Sequence, residues 1–307
     1  MLKKTDTNRS IFNFYIPDRV FAVCMALPAI AVLCVTVFFP ILKAIYVSLC
    51  DYTIRSLNSP TWNDFGNYAN IFRNGEVFGY FRTTFIFVFY CVAIQFVLGF
   101  AIALLLNQQI RGRNVFRGLF LIPWTIPSVV VALLWRWMTH QQFGILNYVL
   151  YNLGITDTVN ISWQISPVLA MTSILIGAIW RQLPYMMVMI LAALQSVDQS
   201  LIEAAKMDGV SFWGSLFHVT VPSIRPVLIS ALWIAMMGNF QMYTIIALLT
   251  GGGPVNATTT LSLAAYRKAF MSYDFGQGAA IGVLWLVLLF SVTLITNRLN
   301  DKYSADI

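Results

Sequence analysis

Charged residues are scarce in this chain of 307 residues. Asp, Glu, Lys and Arg make up only 10% of it, and the glutamates are limited to Glu76 and Glu203. A soluble domain typically carries about 25% charged residues, so the sequence lacks what a water-facing surface needs. Hydrophobic residues instead make up 59% of the chain, and the mean hydropathy is +0.74. This composition excludes a soluble protein and predicts that lipid surrounds much of the surface.

Catalytic and metal-binding motifs are also missing. The sequence contains no GxxxxGKS/T, no HExxH and no Cys/His cluster with metal-ligand spacing. His140 and His218 lie far apart, and no apolar run contains a carboxylate pair. The four cysteines form no CxxC pair, and we interpret them as small apolar residues. We therefore expect no enzymatic activity, no metal and no cofactor bound by this chain.

Long apolar runs dominate what is present. Each has roughly the 20 residues that a membrane-spanning helix needs. Strands of a membrane barrel would instead alternate over about 10 residues. The sequence therefore predicts an all-α polytopic membrane protein with six transmembrane helices. The runs lie at 20–42, 84–106, 119–138, 167–192, 227–249 and 276–296.

Basic residues indicate the orientation. The net charge is +7, and the basic residues are scattered rather than clustered on one face, which argues against nucleic acid as a partner. Arg111, Arg113 and Arg117 lie in the link after the second run. Because cytoplasmic loops are enriched in Lys and Arg, this link is predicted to be cytoplasmic. With an even number of spans, both termini are then cytoplasmic too.

The chain divides along these runs without a separate soluble domain. Residues 1–83 are interpreted as an N-terminal tail, an uncleaved first span and an external segment. Residues 84–299 form the transmembrane core, with a cytoplasmic loop at 193–226. Residues 300–307 are interpreted as a cytoplasmic C-terminal tail.

The loop at 193–226 has a readable local pattern. Ser200 to Glu203 matches a capping box, which predicts a short helix over 201–207. Gly209 is placed to end that helix in left-handed geometry. A second short helix is predicted from Ser211, and Pro222 is predicted to close it before the next span.

Two interpretations of this loop remain open from the residues alone. Ala204 and Ala205 leave a face flat enough for a partner, and Glu203 and Asp208 offer it charges. Alternatively, the loop is an interfacial amphipathic helix packed on its own bundle.

Arg181 falls near the middle of the fourth apolar run. A charge at mid-bilayer costs about 2.5–3.5 kcal/mol on insertion scales, so such a residue usually faces a cavity or a partner. The two interpretations are a residue of a solute pathway and a structural arginine paired with a neighbouring subunit or a helix end.

Several further segments have recognisable patterns beside the loop at 203–209 with Pro222. They are 111–117, 121–127, 144–147, 184–187, 249–254 and 274–276. Together these segments resemble the MalF-like branch of the binding-protein-dependent ABC transporter permeases, the carbohydrate importers, and the loop pattern is similar to the EAA loop of that family. No segment matches the extra external domain or additional N-terminal spans of its maltose member, and the chain is more similar to six-span sugar and glycerol-phosphate permeases.

The resemblance implies a MetI-like fold and a permease subunit of an ATP-driven importer. The solute would be a sugar or a related polyol or sugar phosphate, and the chain would form half the pore. The implied partners are a second, different permease chain that is MalG-like, two ATP-binding subunits that hold ATP and Mg, an extracellular solute-binding protein and the lipid bilayer. The implied location is the inner or plasma membrane of a bacterium.

The resemblance also implies two groups of functional residues. The residues of the EAA loop that dock an ATPase subunit are Glu203, Ala204, Ala205, Asp208, Gly209 and Pro222. The residues of the substrate pathway are Trp124, Ser128, Arg181, Gln182, Asn239, Gln241 and Tyr243. The alternative function is a stand-alone secondary transporter or channel for a small polar solute, which would more often carry membrane carboxylates for ion coupling.

Overall fold

The computed structural model describes residues 18–56 and 60–304, and within them it has fourteen α-helices and two short β-strands. Most of the predicted N-terminal tail lies outside the described residues. The first apolar span runs over Val20–Ser48, six residues beyond its predicted end. It consists of α1 (Asp18–Leu33) and α2 (Phe39–Ser48), joined by a π-helical turn at Cys34–Phe38.

The segment that follows is partly helical and also contains a small hairpin that the sequence did not indicate. Strands β1 (Cys50–Asp51) and β2 (Thr61–Trp62) pair antiparallel, and α3 covers Gly66–Arg73. The next helix, α4 (Glu76–Asn107), begins eight residues before the predicted second span. The predicted boundary between residues 83 and 84 therefore falls inside a helix.

The remaining helices follow in chain order, and the segments between them are short. They are α5 (Arg113–Thr125), α6 (Ser128–Met138), α7 (Ile145–Asn152), α8 (Pro167–Gln195), α9 (Gln199–Met207), α10 (Phe212–Ser215), α11 (Val221–Phe240), α12 (Thr244–Leu249), α13 (Leu261–Tyr266) and α14 (Phe275–Ser304). Because α14 continues to Ser304, the predicted C-terminal tail is helical over its first five residues, and residues 305–307 lie outside the described part.

The third apolar run, 119–138, is not one continuous helix. Helices α5 and α6 meet at an angle of 95°. Pro127 has no N–H to donate, and it forces the preceding residue out of helical geometry. Ile126 accordingly has φ −77° and ψ 131°. The described residues contain five helices that are long and apolar enough to cross a membrane, or six if the bent pair counts as one.

The fifth span is also displaced from its prediction. The helical stretch that is long and apolar enough to cross a membrane covers Phe212–Phe240, and the chain then turns before the separate short helix α12. Hydropathy stays high through α12, so an apolar run cannot reveal this turn. The break places Gln241 and Tyr243 in a turn rather than on a helix face.

Close helix packing builds the core of residues 47–304. Side chains of α4, α6, α8 and α12 form one buried cluster, which includes Phe87, Ile174 and Ile245. A Cβ on Gly99 of α4 would lie 2.9 Å from the Met186 side chain of α8. Small residues at such crossings let helix backbones approach closely in membranes. Helix α8 is therefore the central element against which α4, α6 and α11 pack.

Candidate functional site

A cavity of about 180 Å³ lies where α6 begins, α8 passes its midpoint and α11 gives way to α12. Its position depends on two interruptions of helix, the bend between α5 and α6 and the turn between α11 and α12. These interruptions expose polar groups that a continuous helix would hide. Five of the seven predicted pathway residues line the cavity. The lining residues are Ser128, Arg181, Gln182, Gly238, Gln241, Met242, Tyr243, Thr244 and Ile245.

Arg181 faces this cavity and also contacts the broken helix. Its Nε donates to the carbonyl of Ile126 at 3.5 Å, at the C-terminal end of α5. A guanidinium carries five N–H donors, so this single long bond leaves most of them directed elsewhere. The side chain is half-buried. Arg181 therefore contacts a helix end and lines a cavity, and its role in a solute pathway stays a prediction.

Two predicted pathway residues are not brought to the cavity. The ring of Trp124 lies 6.0 Å from that of Tyr185, measured between centroids, and Trp124 is not among the lining residues. Asn239 is 1% exposed. Its Nδ2 donates to Gln95 Oε1 at 3.2 Å and to the carbonyl of Ala235 at 2.8 Å. These bonds direct the Asn239 amide toward α4.

Sequence reasoning missed Gln95, although a signal was present. It is the single amide in the apolar run 84–106, and it is 1% exposed. Its Nε2 donates back to Asn239 Oδ1 at 3.5 Å. An amide within a span needs a partner because lipid supplies none. Gln95 and Asn239 therefore form a reciprocal amide pair that joins α4 to α11.

We expect the amide pair to behave non-additively. Gln95→Leu or Asn239→Leu alone leaves one buried amide unpaired, which costs about 1–3 kcal/mol. Replacing both by leucine removes the unpaired group, so the double variant should be more stable than either single variant. Thermal unfolding of the purified protein in detergent measures the three midpoints. A double variant that is less stable than both singles would contradict the pair.

The loop after α8 begins with a different cap from the one predicted. Asp198, not Ser200, caps α9, and its carboxylate accepts from the backbone N–H of Ser200 at 2.9 Å. Bonds from the backbone N–H and the hydroxyl of Ser200 hold the pKa of Asp198 below its usual value. The helix therefore starts at Gln199, two residues before the predicted start.

The end of α9 is as predicted. Gly209 has φ +76°. Its N–H donates to the carbonyl of Lys206, and the N–H of Val210 donates to that of Ala205, each at 3.1 Å. This pair of bonds is the Schellman motif, which needs left-handed backbone at the glycine. The turn is thus fixed by the conformation of one exposed residue.

The second short helix starts as predicted but does not stop where predicted. Ser211 caps α10 by accepting from the N–H of Gly214 at 3.2 Å. The chain then continues through a π-helical turn at Leu216–Thr220 into α11. Pro222 is the second residue of α11, within a helical stretch that runs on from Phe212 to Phe240. It therefore does not close a helix.

The outward face of α9 differs from the expected flat alanine face. Ala205 is 7% exposed and faces its own chain, whereas Glu203, Ala204 and Asp208 are exposed. Within the part of the chain that the structure describes, the Glu203 carboxylate has no hydrogen bond or ion pair. Leu201 and Met207 are also exposed, by 49% and 87%. Helix α9 therefore offers a mixed apolar and acidic surface.

Comparison with known proteins agrees with this architecture. Residues 95–305 match the sequence model described as "Binding-protein-dependent transport system inner membrane component". A trehalose/maltose transport system permease protein, MalF of Thermococcus litoralis, is 33% identical over 271 residues, which cover 88% of this chain and 90% of the relative. A sulfoquinovosyl glycerol transport system permease protein, SmoG of Agrobacterium fabrum, is 30% identical over 282 residues, covering 92% and 91%.

A solved structure shares the fold. It is a bacterial ABC transporter involved in the import of the acidic polysaccharide alginate, and one of its chains superposes with a TM-score of 0.78. The superposition covers 93% of this chain and 96% of that one, at 20% identity. At this identity the likeness establishes the fold alone, a helical permease fold of the ABC importers.

Proposed function

Because the chain belongs to the family of inner membrane components of binding-protein-dependent transport systems, we propose that it is a permease subunit of an ATP-driven sugar importer that forms half of the pore. Members of this family are multi-pass membrane proteins and non-catalytic subunits, with ATP hydrolysis on a separate chain. Beyond family membership, we propose a solute class, a solute pathway and a surface that couples to the ATPase.

The cavity around Arg181 is the observation that carries the solute class. Its lining contains a guanidinium, two amides, hydroxyl groups and a phenol, beside the midpoint of α8. Amides and hydroxyls both donate and accept hydrogen bonds, and a guanidinium only donates. This set suits a hydroxyl-rich solute, and the guanidinium also suits an anionic one. A sugar is therefore the first choice, and a sugar phosphate or glycerol phosphate is the second.

The coupling surface is α9 with the turn at Gly209. We infer that an ATPase subunit seats on the exposed face that carries Glu203 and Asp208. Movement of this loop would rock the helices between inward-open and outward-open states. One loop of this kind in one chain implies a second, MalG-like permease for a two-fold gate, two ATP-binding subunits and an external solute-binding protein.

The stand-alone transporter is not favoured by this family membership. The exposed acidic surface on α9 gives a lone carrier no evident benefit. ATP and Mg belong to the partner subunit in this proposal.

The function is tested with the complex reconstituted in vesicles together with its ATPase and solute-binding protein. We expect a sugar to raise ATP hydrolysis and to enter the vesicles with it, because substrate-loaded binding protein drives the cycle. The panel is maltose, trehalose, glycerol 3-phosphate and, as a control, an amino acid mixture. Stimulation by amino acids alone would contradict the sugar proposal, and transport without ATP would support the stand-alone carrier.

The proposed orientation places both termini and the loop at 193–226 in the cytoplasm. In a cysteine-free variant, Val255→Cys should react with a membrane-impermeant thiol reagent from outside, because Val255 is 100% exposed in the loop before α13. Asn114→Cys, next to the three arginines, should react only after the membrane is opened. Labelling of position 114 from outside the cell would reverse the whole orientation.

A further inference from the structure

A second polar cavity, of about 350 Å³, lies at the other end of α6. We name it the outer cavity. The outer cavity is close to the N-terminus of α8, whereas the turn at Gly209 follows the C-terminus of α8. The outer cavity and this turn therefore lie at opposite ends of the bundle. The lining residues of the outer cavity are Arg136, Thr139, His140, Gln141, Gln142, Ser162, Trp163 and Gln164.

The outer cavity and the Arg181 cavity share one pair of helices. Ser128 and Thr244, at the starts of α6 and α12, line the Arg181 cavity. At the far ends, Arg136 donates to the carbonyl of Leu248 at 3.5 Å and Gln164 donates to that of Leu249 at 3.2 Å. With a rise of 1.5 Å per residue, the two cavities are separated by about 12 Å along α6. They are successive positions along the same helices.

The walls of the outer cavity are held by a buried hydrogen-bond network. Asn147 is 1% exposed, and its Nδ2 donates to the carbonyls of His140, Gln141 and Ile161 at 3.1–3.2 Å. Trp163 Nε1 donates to Asn147 Oδ1 at 2.6 Å. One asparagine thus ties the two lining segments, 139–142 and 162–164, together. The cavity is built before any ligand arrives, which lowers the cost of binding.

The chemistry of the lining fits a hydroxyl-rich ligand. Three glutamines and a serine supply both donors and acceptors, and within the described chain no carboxylate is among the lining residues. Ser162 donates to Gln141 Oε1 at 2.9 Å. The side chain of Gln142 has no hydrogen-bond partner among residues 20–56 and 60–298, so its amide is available. The volume lies within the range of small-molecule sites, about 300–1,000 Å³.

We propose that the outer cavity is a carbohydrate subsite, which holds the sugar after it leaves the binding protein and before it reaches Arg181. This inference rests on the proposed function and adds a step to it. Gln142 is the residue that contacts the sugar without holding the walls. The same amides would bind a backbone segment of the binding protein, and the test separates these two occupants.

The test compares Gln142→Leu and Gln142→Ala with Asn160→Leu in the reconstituted complex. Asn160 is an exposed amide two residues before the second lining segment, 162–164, and it does not line the cavity. The binding protein is loaded with maltose or trehalose, whichever the wild-type complex transports faster. We expect both Gln142 variants to lower transport at saturating binding protein by about three- to tenfold, the effect of roughly one hydrogen bond. Asn160→Leu should match the wild type.

A second measurement identifies the occupant. The affinity of the loaded binding protein for the complex should be the same in all variants. Weaker docking in the Gln142 variants would overturn the subsite and assign the cavity to the binding protein. Wild-type transport in both Gln142 variants would overturn it as well, with the proposed function intact. Absence of sugar transport by the wild-type complex would instead overturn the proposed function.

Discussion

Arg181→Ala is expected to lower solute transport by about ten- to a hundredfold while the complex still assembles and hydrolyses ATP. A hydrogen bond to a charged group contributes about 1.5–3 kcal/mol, and every 1.4 kcal/mol corresponds to about tenfold. The bond from Arg181 to the carbonyl of Ile126 is long, 3.5 Å, so its loss should cost little stability. Transport into vesicles and co-purification of the subunits measure the two effects separately.

Arg181→Lys and Arg181→Gln are the matched controls. Lysine keeps the charge but not the planar fork of donors, and glutamine keeps donors without the charge. If the fork binds sugar hydroxyls, both variants should transport at intermediate rates. If the solute is anionic, lysine should be much better than glutamine. Normal transport by Arg181→Ala, or failure of that complex to assemble, would remove Arg181 from the pathway.

Gly209→Val is expected to reduce co-purification of the ATPase subunit at least about tenfold and to abolish transport. A Cβ at this position would meet no atom within 4 Å, so crowding is not the cause. The cause is the backbone, because φ +76° costs an ordinary residue about 1–2 kcal/mol and a β-branched residue more. Valine should therefore displace the turn that follows α9.

Gly209→Asn provides the matched control, because asparagine tolerates left-handed backbone better than other residues with a side chain. It should retain most of the co-purification. Glu203→Lys tests the charge of the same surface without touching the turn, and it should weaken docking. Wild-type co-purification with both Gly209→Val and Glu203→Lys would show that this loop is not the docking surface.

Local physics explains which predictions the structure confirmed. The C-terminal end of α9 and the start of α10 depend on neighbours in sequence: Gly209 has the predicted left-handed backbone, and Ser211 begins the second helix as predicted. Where the local prediction was wrong, a competing local group was stronger: Asp198 caps α9 in place of Ser200. The bend at Ile126 and Pro127 also had a local signal, since proline disfavours helix in the residue before it.

The sequence by itself determined the solvent, the fold class and the family. Apolar runs long enough to cross a bilayer predict helices, because in lipid the backbone groups of such a run must be hydrogen-bonded within its own helix. The turn at Gly209 is equally local. Each of these features depends on composition or on residues close together in the chain.

Only the tertiary structure decided which polar side chains face a cavity. Asn239 and Gln241 are two residues apart in one apolar run, yet Asn239 pairs with Gln95 of α4 while Gln241 lines the Arg181 cavity. Their roles depend on the turn between α11 and α12 and on a residue 144 positions away in the chain. A hydropathy pattern gives no such partner, because pairing across a bundle is set by how the helices pack.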